Sequence, residues 1–158
     1  MHSRIFELST TKIPDDGRLD EFSVPEWFFG PIADSLTTIE DGRDSEIEKF
    51  AKLFGGECEL VGGKIKFTRN AKSKYFANLY ESFLKSASLL QTATFEAFTG
   101  GKGAKELSDA VYYLNEAYSD KWGIYIYDRG ELLPLSQWLR ETKLSRPFYI
   151  GGIIDYHF

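Results

Sequence analysis

Apolar side chains recur along this chain at two spacings, near 3.6 and near 2 residues, and the two predict different elements. Ile5, Phe6 and Leu8 make a first strand of Arg4 to Thr10. Pro14-Asp15-Asp16-Gly17 predicts a turn, because proline presets φ and glycine accepts a positive one. Ser23-Val24-Pro25-Glu26 has capping-box spacing, so a short helix is expected through Trp27, Phe28, Ile32 and Leu36, kinked or split at Gly30-Pro31. A clearer helix begins at Asp44 or Ser45. Its Ile47, Phe50, Ala51 and Phe54 share one face, and Gly55-Gly56 ends it.

The next segment reads as a hairpin. Glu57 to Val61 and Lys64 to Thr68 flank Gly62-Gly63, which pairs Val61 with Lys64, Leu60 with Ile65, Glu59 with Lys66 and Cys58 with Phe67. One face then carries Cys58, Leu60, Ile65 and Phe67, and the other carries facing charges, so a one-residue slip would spoil both. Asn70 can cap a long helix with Tyr75, Phe76, Leu79, Phe83, Ala87 and Leu90 on its apolar face, running on to Phe98. After Gly100-Gly101-Lys102-Gly103 a further helix sets Leu107, Val111, Leu114 and Tyr118 on one side. Trp122 to Tyr127 is apolar or aromatic on both parities, which suits an interior strand. Asp128-Arg129-Gly130 is a turn, Leu133 to Thr142 a short helix, and Phe148 to Phe158 a closing strand. In that strand Phe148, Ile150, Ile154, Tyr156 and Phe158 share a parity, and Gly151-Gly152 suggests a bulge or a close backbone approach. The expected fold is α+β: one domain over residues 1–158, with a small, mostly antiparallel sheet that includes the 57–68 hairpin, packed against about four helices.

Length and composition agree with that reading. A chain of 158 residues buries enough surface to fold without a disulfide or a metal, and 42% apolar with 27% charged residues is a globular balance. No apolar run approaches the ~18–20 residues of a membrane span, the start Met-His-Ser-Arg-Ile-Phe-Glu lacks the apolar core of a secretion signal, and Cys58 is the only cysteine. A reducing, cytoplasmic setting with no membrane partner is the expectation. Net charge is −5, which disfavours nucleic acid as a direct ligand. The charge is uneven: net −6 over residues 1–54, +3 over 55–107 and −2 over 108–158.

Catalytic chemistry is sparse. His2 and His157, the only histidines, stand at opposite ends, so no serine or cysteine triad is evident. Cys58 reads as a buried structural thiol. Asp155 and His157 share a strand face and could give two metal ligands, short of the three or four a zinc site needs. The 100–103 glycine loop precedes a helix but does not match the phosphate-loop pattern. No catalytic residue, cofactor or metal is assigned. Aromatic residues, at 16%, exceed what one core needs, and Tyr112-Tyr113, or Tyr125 with Tyr127, are expected in part at the surface or an interface.

Tyr127-Asp128-Arg129-Gly130-Glu131-Leu132, followed by Trp138-Leu139, resembles over about a dozen residues the Tyr-x-x-Gly-Glu-Leu…Trp segment of antirestriction DNA-mimic proteins. The tryptophan is displaced from that pattern, and this chain is far less acidic than such mimics. The function expected from the residues is a non-enzymatic acidic module that binds a protein partner with a basic surface. An inhibitor of a nucleic-acid-handling or host-defence enzyme, as mobile elements encode, would be of this kind. Its contacts would be Asp15, Asp16, Asp20, Glu21, Glu40, Asp41 and Asp44, with Trp27 as an apolar anchor. A small carboxylate-based enzyme is one alternative. A nucleic-acid-binding module using Lys64, Lys66, Arg69, Lys72 and Lys74 is the other.

Overall fold

The computed structural model describes residues 1–158. Seven strands form one sheet: β1 (His2–Ser9), β2 (Ser35–Thr38), β3 (Cys58–Val61), β4 (Lys64–Phe67), β5 (Tyr125–Asp128), β6 (Glu131–Pro134) and β7 (Phe148–His157). Five helices accompany it: α1 (Arg43–Lys52), α2 (Ala71–Gln91), α3 (Phe95–Phe98), α4 (Ala104–Ser119) and α5 (Leu135–Glu141). The architecture is the expected α+β, with a larger sheet than the sequence suggests. Strand order is β3-β4-β7-β1-β5-β6, with β2 also on β7. Every pairing is antiparallel except β1 with β5. β7 is the hub: β1 runs along one edge, while β4 takes its first residues and β2 its last on the other.

Both faces of the sheet are covered. On one, Phe6, Leu8, Ile126 and Ile153 pack with Phe50 and Phe54 of the α1 segment, Phe67, and Leu135, Trp138 and Leu139 of α5. On the other, Ile5, Tyr125, Ile154 and Tyr156 pack with Leu19, Phe28, Ile32 and Ala33 from the segment between β1 and β2. Burying such a side chain is worth about 1.5–3 kcal/mol, so the two layers together hold the sheet.

β7 changes faces partway along. Phe148 and Ile150 lie in the helix-side layer, whereas Ile154 and Tyr156 lie in the other. The expectation that one parity faces one core therefore fails, and the cause is Gly151-Gly152. The β1–β7 register shifts between Phe6 and Leu8, opposite that pair, and an extra residue in one strand reverses the side-chain alternation beyond it. The bulge also takes a visitor. Glu7 Oε2 accepts the backbone N–H of Gly152 (2.7 Å) and of Leu19 (2.8 Å), tying the β1–β2 segment onto β7.

Several expected elements differ. The helix over 23–36 is absent: a single 3-10 turn at Glu26–Phe28 stands there, and Ser35–Thr38 is strand β2. Asp20 Oδ1 accepts both the N–H and the hydroxyl of Ser23, which occupies the would-be cap, and Gly30 adopts φ 94° ahead of Pro31. Gly42, not Asp44 or Ser45, caps α1. The long helix stops at Gln91, and Thr94 caps a separate α3 by accepting the N–H of Ala97. Strand β6 has no counterpart among the expected elements. The 57–68 hairpin pairs in the expected register. Ile65 and Phe67 are buried there, but Leu60 is 40% exposed and Cys58 half-buried, because β3 is the edge strand. No helix is long and apolar enough to cross a membrane.

Candidate functional site

α2 and α4 form an antiparallel pair that stands away from the sheet. α2 has 21 residues, about 31 Å at 1.5 Å per residue, yet only Ala71 and Ser86 are buried along it, and only Ala110 and Ala117 along α4. Small side chains at the crossing let the two backbones approach. Val111 and Tyr118, expected on a core face, are exposed instead, as are Tyr112 and Tyr113. Periodicity correctly groups Leu107, Val111, Leu114 and Tyr118 on one stripe, but nothing in the chain covers the outer half of it.

On one side of this pair lies a cleft of about 730 Å³. Its walls carry Glu106, Asp109, Glu116 and Asp120 against a single cation, Lys85. Lys105, outside the lining, pairs with Asp109 at 2.9 Å. Leu79, Leu89, Tyr113 and Trp122 supply apolar surface. Ser86 is almost wholly buried and lines the cleft from α2. The closed end is built by Asp120, which terminates α4 in the left-handed region (φ 52°, ψ 35°), its N–H donating to Glu116 O. Aspartate tolerates that conformation better than most residues do. Tyr75 donates its hydroxyl to Asp120 Oδ2 at 2.6 Å. Burial pushes the Asp120 carboxyl above the usual carboxylate range, against the Tyr75 hydrogen bond, which pulls the other way. The same burial, with the Asp120 charge, raises the Tyr75 phenol. A Cβ at Gly123 would run into the Asp120 carboxylate, which would have to shift to admit it.

The residues expected to contact a partner are distributed differently. Asp15 and Asp16 are exposed in the 3-10 turn at 15–17, with Asp15 held by Arg18 at 2.6 Å. Glu40, Asp41 and Asp44 are exposed around the start of α1, and Trp27 is exposed with its ring edge-on to Phe28. Asp20 and Glu21 are half-buried and satisfied within the chain. Asp20 accepts from Phe22 and Ser23, and its carboxyl is lowered chiefly by the Ser23 hydrogen bond. Glu21 and Thr38 exchange two hydrogen bonds, of 3.0 and 3.1 Å. Arg18 and Arg43 sit among these acids, so their field is partly neutralised on the spot.

Other sequence candidates also resolve. Asp155 is held by Arg4 and His2, while His157 Nδ1 lies 2.7 Å from Asp34 Oδ1, so the two strand neighbours have separate partners. No group of three or more His, Cys, Asp or Glu side chains is placed to hold a metal. In the glycine loop, Glu96 Oε1 lies 3.4 Å from the Lys102 amide and Glu96 O accepts from Gly101, so the chain's own residue faces those amides. Cys58 Sγ donates to Ala51 O, and burial raises its thiol. Within 127–139, Asp128 is buried and accepts the indole N–H of Trp138 at 3.1 Å, a contact that fixes α5 on the β5–β6 hairpin. Sequence reasoning misses the cleft: nothing in the sequence singles out Glu106, Asp109 or Glu116, Tyr113 is expected only at the surface or an interface, and the one available signal is the small residues at Ser86, Ala110 and Ala117. Comparison with protein families, with curated proteins and with solved structures finds no match.

Proposed function

We propose that this chain is a non-enzymatic protein-binding module whose α2–α4 cleft receives a basic amphipathic segment of its partner. The observation that carries the reading is the cleft's composition: apolar walls, four carboxylates and one lysine. A helix that lays its apolar face in a groove and sets lysines or arginines on the rim matches that lining. The exposed acids of the N-terminal third, Asp15, Asp16, Glu40, Asp41 and Asp44, add long-range attraction for the same partner, since complementary charge chiefly raises the rate of encounter. Enzymes that handle nucleic acids carry basic surfaces, so inhibition of such an enzyme, of the kind mobile elements encode, is the narrower form of this proposal. A single free thiol suits a reducing compartment such as the cytoplasm.

The test is capture from host lysate with wild type and with Glu106→Lys/Glu116→Lys, each with and without nuclease. A protein retained after nuclease, released by salt and lost in the double reversal supports the reading. Retention unchanged by the reversal, or abolished by nuclease, refutes it, and the latter turns attention to the basic stretch 64–74. One observation favours a second reading: Asp120 is a buried, raised carboxyl beside Glu116 in a cleft, the setting of a general acid. A hydrolytic activity that Asp120→Asn abolishes would replace binding with catalysis.

A further inference from the structure

The side of the α2–α4 pair opposite the cleft differs from it in kind. Phe76, Tyr80 and Phe83 line it from α2 and Tyr118 from α4, with the Phe83 and Tyr118 rings 6.4 Å apart. One turn beyond Tyr80 stands Leu84, and two turns before Tyr118 stands Val111, both exposed. The remaining helical positions on this side are small or uncharged: Ser73, Ala77 and Gln91 in α2, Ser108 and Asn115 in α4. The acids and lysines of the two helices fall on the cleft side and the outer edges. Lys121 and Glu141 stand at the foot of the face, beside Asn115 and Tyr118; Arg140, also there, is already occupied. Its guanidinium lies 4.2 Å from the Tyr118 ring centre and 5.1 Å from that of Phe76, and donates to Tyr118 O at 2.9 Å. Phe95 and Phe98 project from the tip, in α3.

We infer that this uncharged face binds a second copy of the chain, the two α2–α4 pairs packing across a two-fold axis as a four-helix bundle. Two arguments select that occupant. A two-fold contact sets a face against itself, so any charge near its centre would meet its like. A face without charge on either helix meets that condition, since its charges are confined to the foot, below the two helices. The area suits a weak, reversible dimer. On this face Tyr80 and Tyr118 are each 60% exposed, Val111 53% and Leu84 46%. At about 150–250 Å² per aromatic side chain the two tyrosines leave roughly 180–300 Å² uncovered, and with Leu84, Val111 and the half-buried Phe76 and Phe83 the face stays below the ~800 Å² each partner gives to a standard interface, the size class of transient complexes. Bundle packing would bury the outer stripe that leaves α2 and α4 with so few buried residues as a single pair. The cleft faces the other way and stays open in the dimer, so self-association is independent of the cleft's ligand.

Sedimentation velocity and light scattering of the purified chain over about 1–100 µM test it. The expected species has twice the 18.0 kDa mass of one chain and dissociates on dilution. Tyr80→Glu/Tyr118→Glu should weaken self-association at least about 100-fold, since it puts like charges in a desolvated centre, while Tyr113→Glu, on the cleft side, should leave it unchanged. Hydrogen exchange on wild type guards against a variant that fails to fold: diluting the dimer should deprotect α2 and α4 and spare β1 and β7. A monomer throughout the range overturns the inference. So does a dimer that survives the double substitution, or one whose dilution deprotects some other surface.

Discussion

Gly152→Ala is the substitution for which the structure gives the most definite expectation. Gly152 does not adopt a left-handed φ, so the conformational argument for glycine does not apply to it. The constraint is space. A Cβ at this position would fall inside the Leu19 carbonyl oxygen, 2.8 Å from that carbonyl carbon and 3.0 Å from the Leu19 Cα. Backbone atoms cannot rotate away, so either the β7 bulge or the β1–β2 segment must shift. Overpacking of this type costs about 1–3 kcal/mol. The shift also stretches the two N–H bonds to Glu7 Oε2, and hydrogen bonds to a charged group are worth about 1.5–3 kcal/mol each. A loss of about 3 kcal/mol or more is expected, a large part of the ~5–15 kcal/mol that a domain of this class has. Gly63→Ala is the control: it has φ 73° and nothing within 4 Å of its Cβ, so it should cost only about 1–2 kcal/mol from backbone conformation. Urea unfolding followed by tryptophan fluorescence gives both values from the midpoint and slope. If Gly152→Ala costs no more than Gly63→Ala, the clash argument and the packing of Leu19 on β7 are both wrong.

Two further outcomes follow from ionisable groups. Because burial raises the Asp120 carboxyl above its ordinary value of 3.8, the native state holds that proton more tightly than the unfolded chain does; that contribution is complete at low pH and is lost as pH rises through the folded-state value. Asp120→Asn, which keeps an acceptor for Tyr75 and suits the left-handed cap, should therefore raise the thermal midpoint at pH 7 relative to wild type and change it least at pH 3. An equal effect at both pH values would refute the assignment. Cys58→Ala should cost about 1 kcal/mol. Since burial raises the thiol, wild type should react with a bulky maleimide more slowly than an unfolded control at pH 7, and rapid native labelling would count against a structural thiol.

The parts of the fold that can be read from the sequence are those in which two local signals agree. The 57–68 hairpin has a glycine pair, an apolar face and facing charges that all specify one register. Of the Trp122–Tyr127 run, apolar on both parities, the strand takes in only Tyr125 onward, as Tyr125–Asp128, and there Tyr125 and Ile126 are buried on opposite faces of the sheet. What cannot be read depends on distant partners. Ser35–Thr38 carries one large apolar side chain and becomes a strand only because β7, more than a hundred residues on, offers its edge. Glu131–Pro134 resembles the entry to a helix because Pro134 suits a first turn, yet it pairs with β5. The Ser23 cap is forfeited to Asp20, three residues earlier. For the cleft and the aromatic face, helical spacing says which side chains stand together and not what stands opposite them. Tyr118 and Val111 therefore look like core in the sequence, and Glu106 and Glu116 like plain surface.

The position of β7 in the sheet bears on how the chain is made. It is the strand that β1, β2 and β4 all require, and it is translated after every one of them. Until it leaves the ribosome, β1 has no antiparallel neighbour, the β3–β4 hairpin is detached from the sheet, and β2 has no edge to join. The α2–α4 pair, by contrast, draws its contacts from within about fifty residues of sequence, and local contacts form fastest. Synthesis should thus yield a formed helical pair beside an unassembled sheet whose apolar strands are open to aggregation or to chaperones. Closure would then come in one step as residues 148–157 emerge, so a chain ended at residue 147 and held on a stalled ribosome by a linker long enough to clear the exit tunnel should show protected helices and protease-sensitive strands.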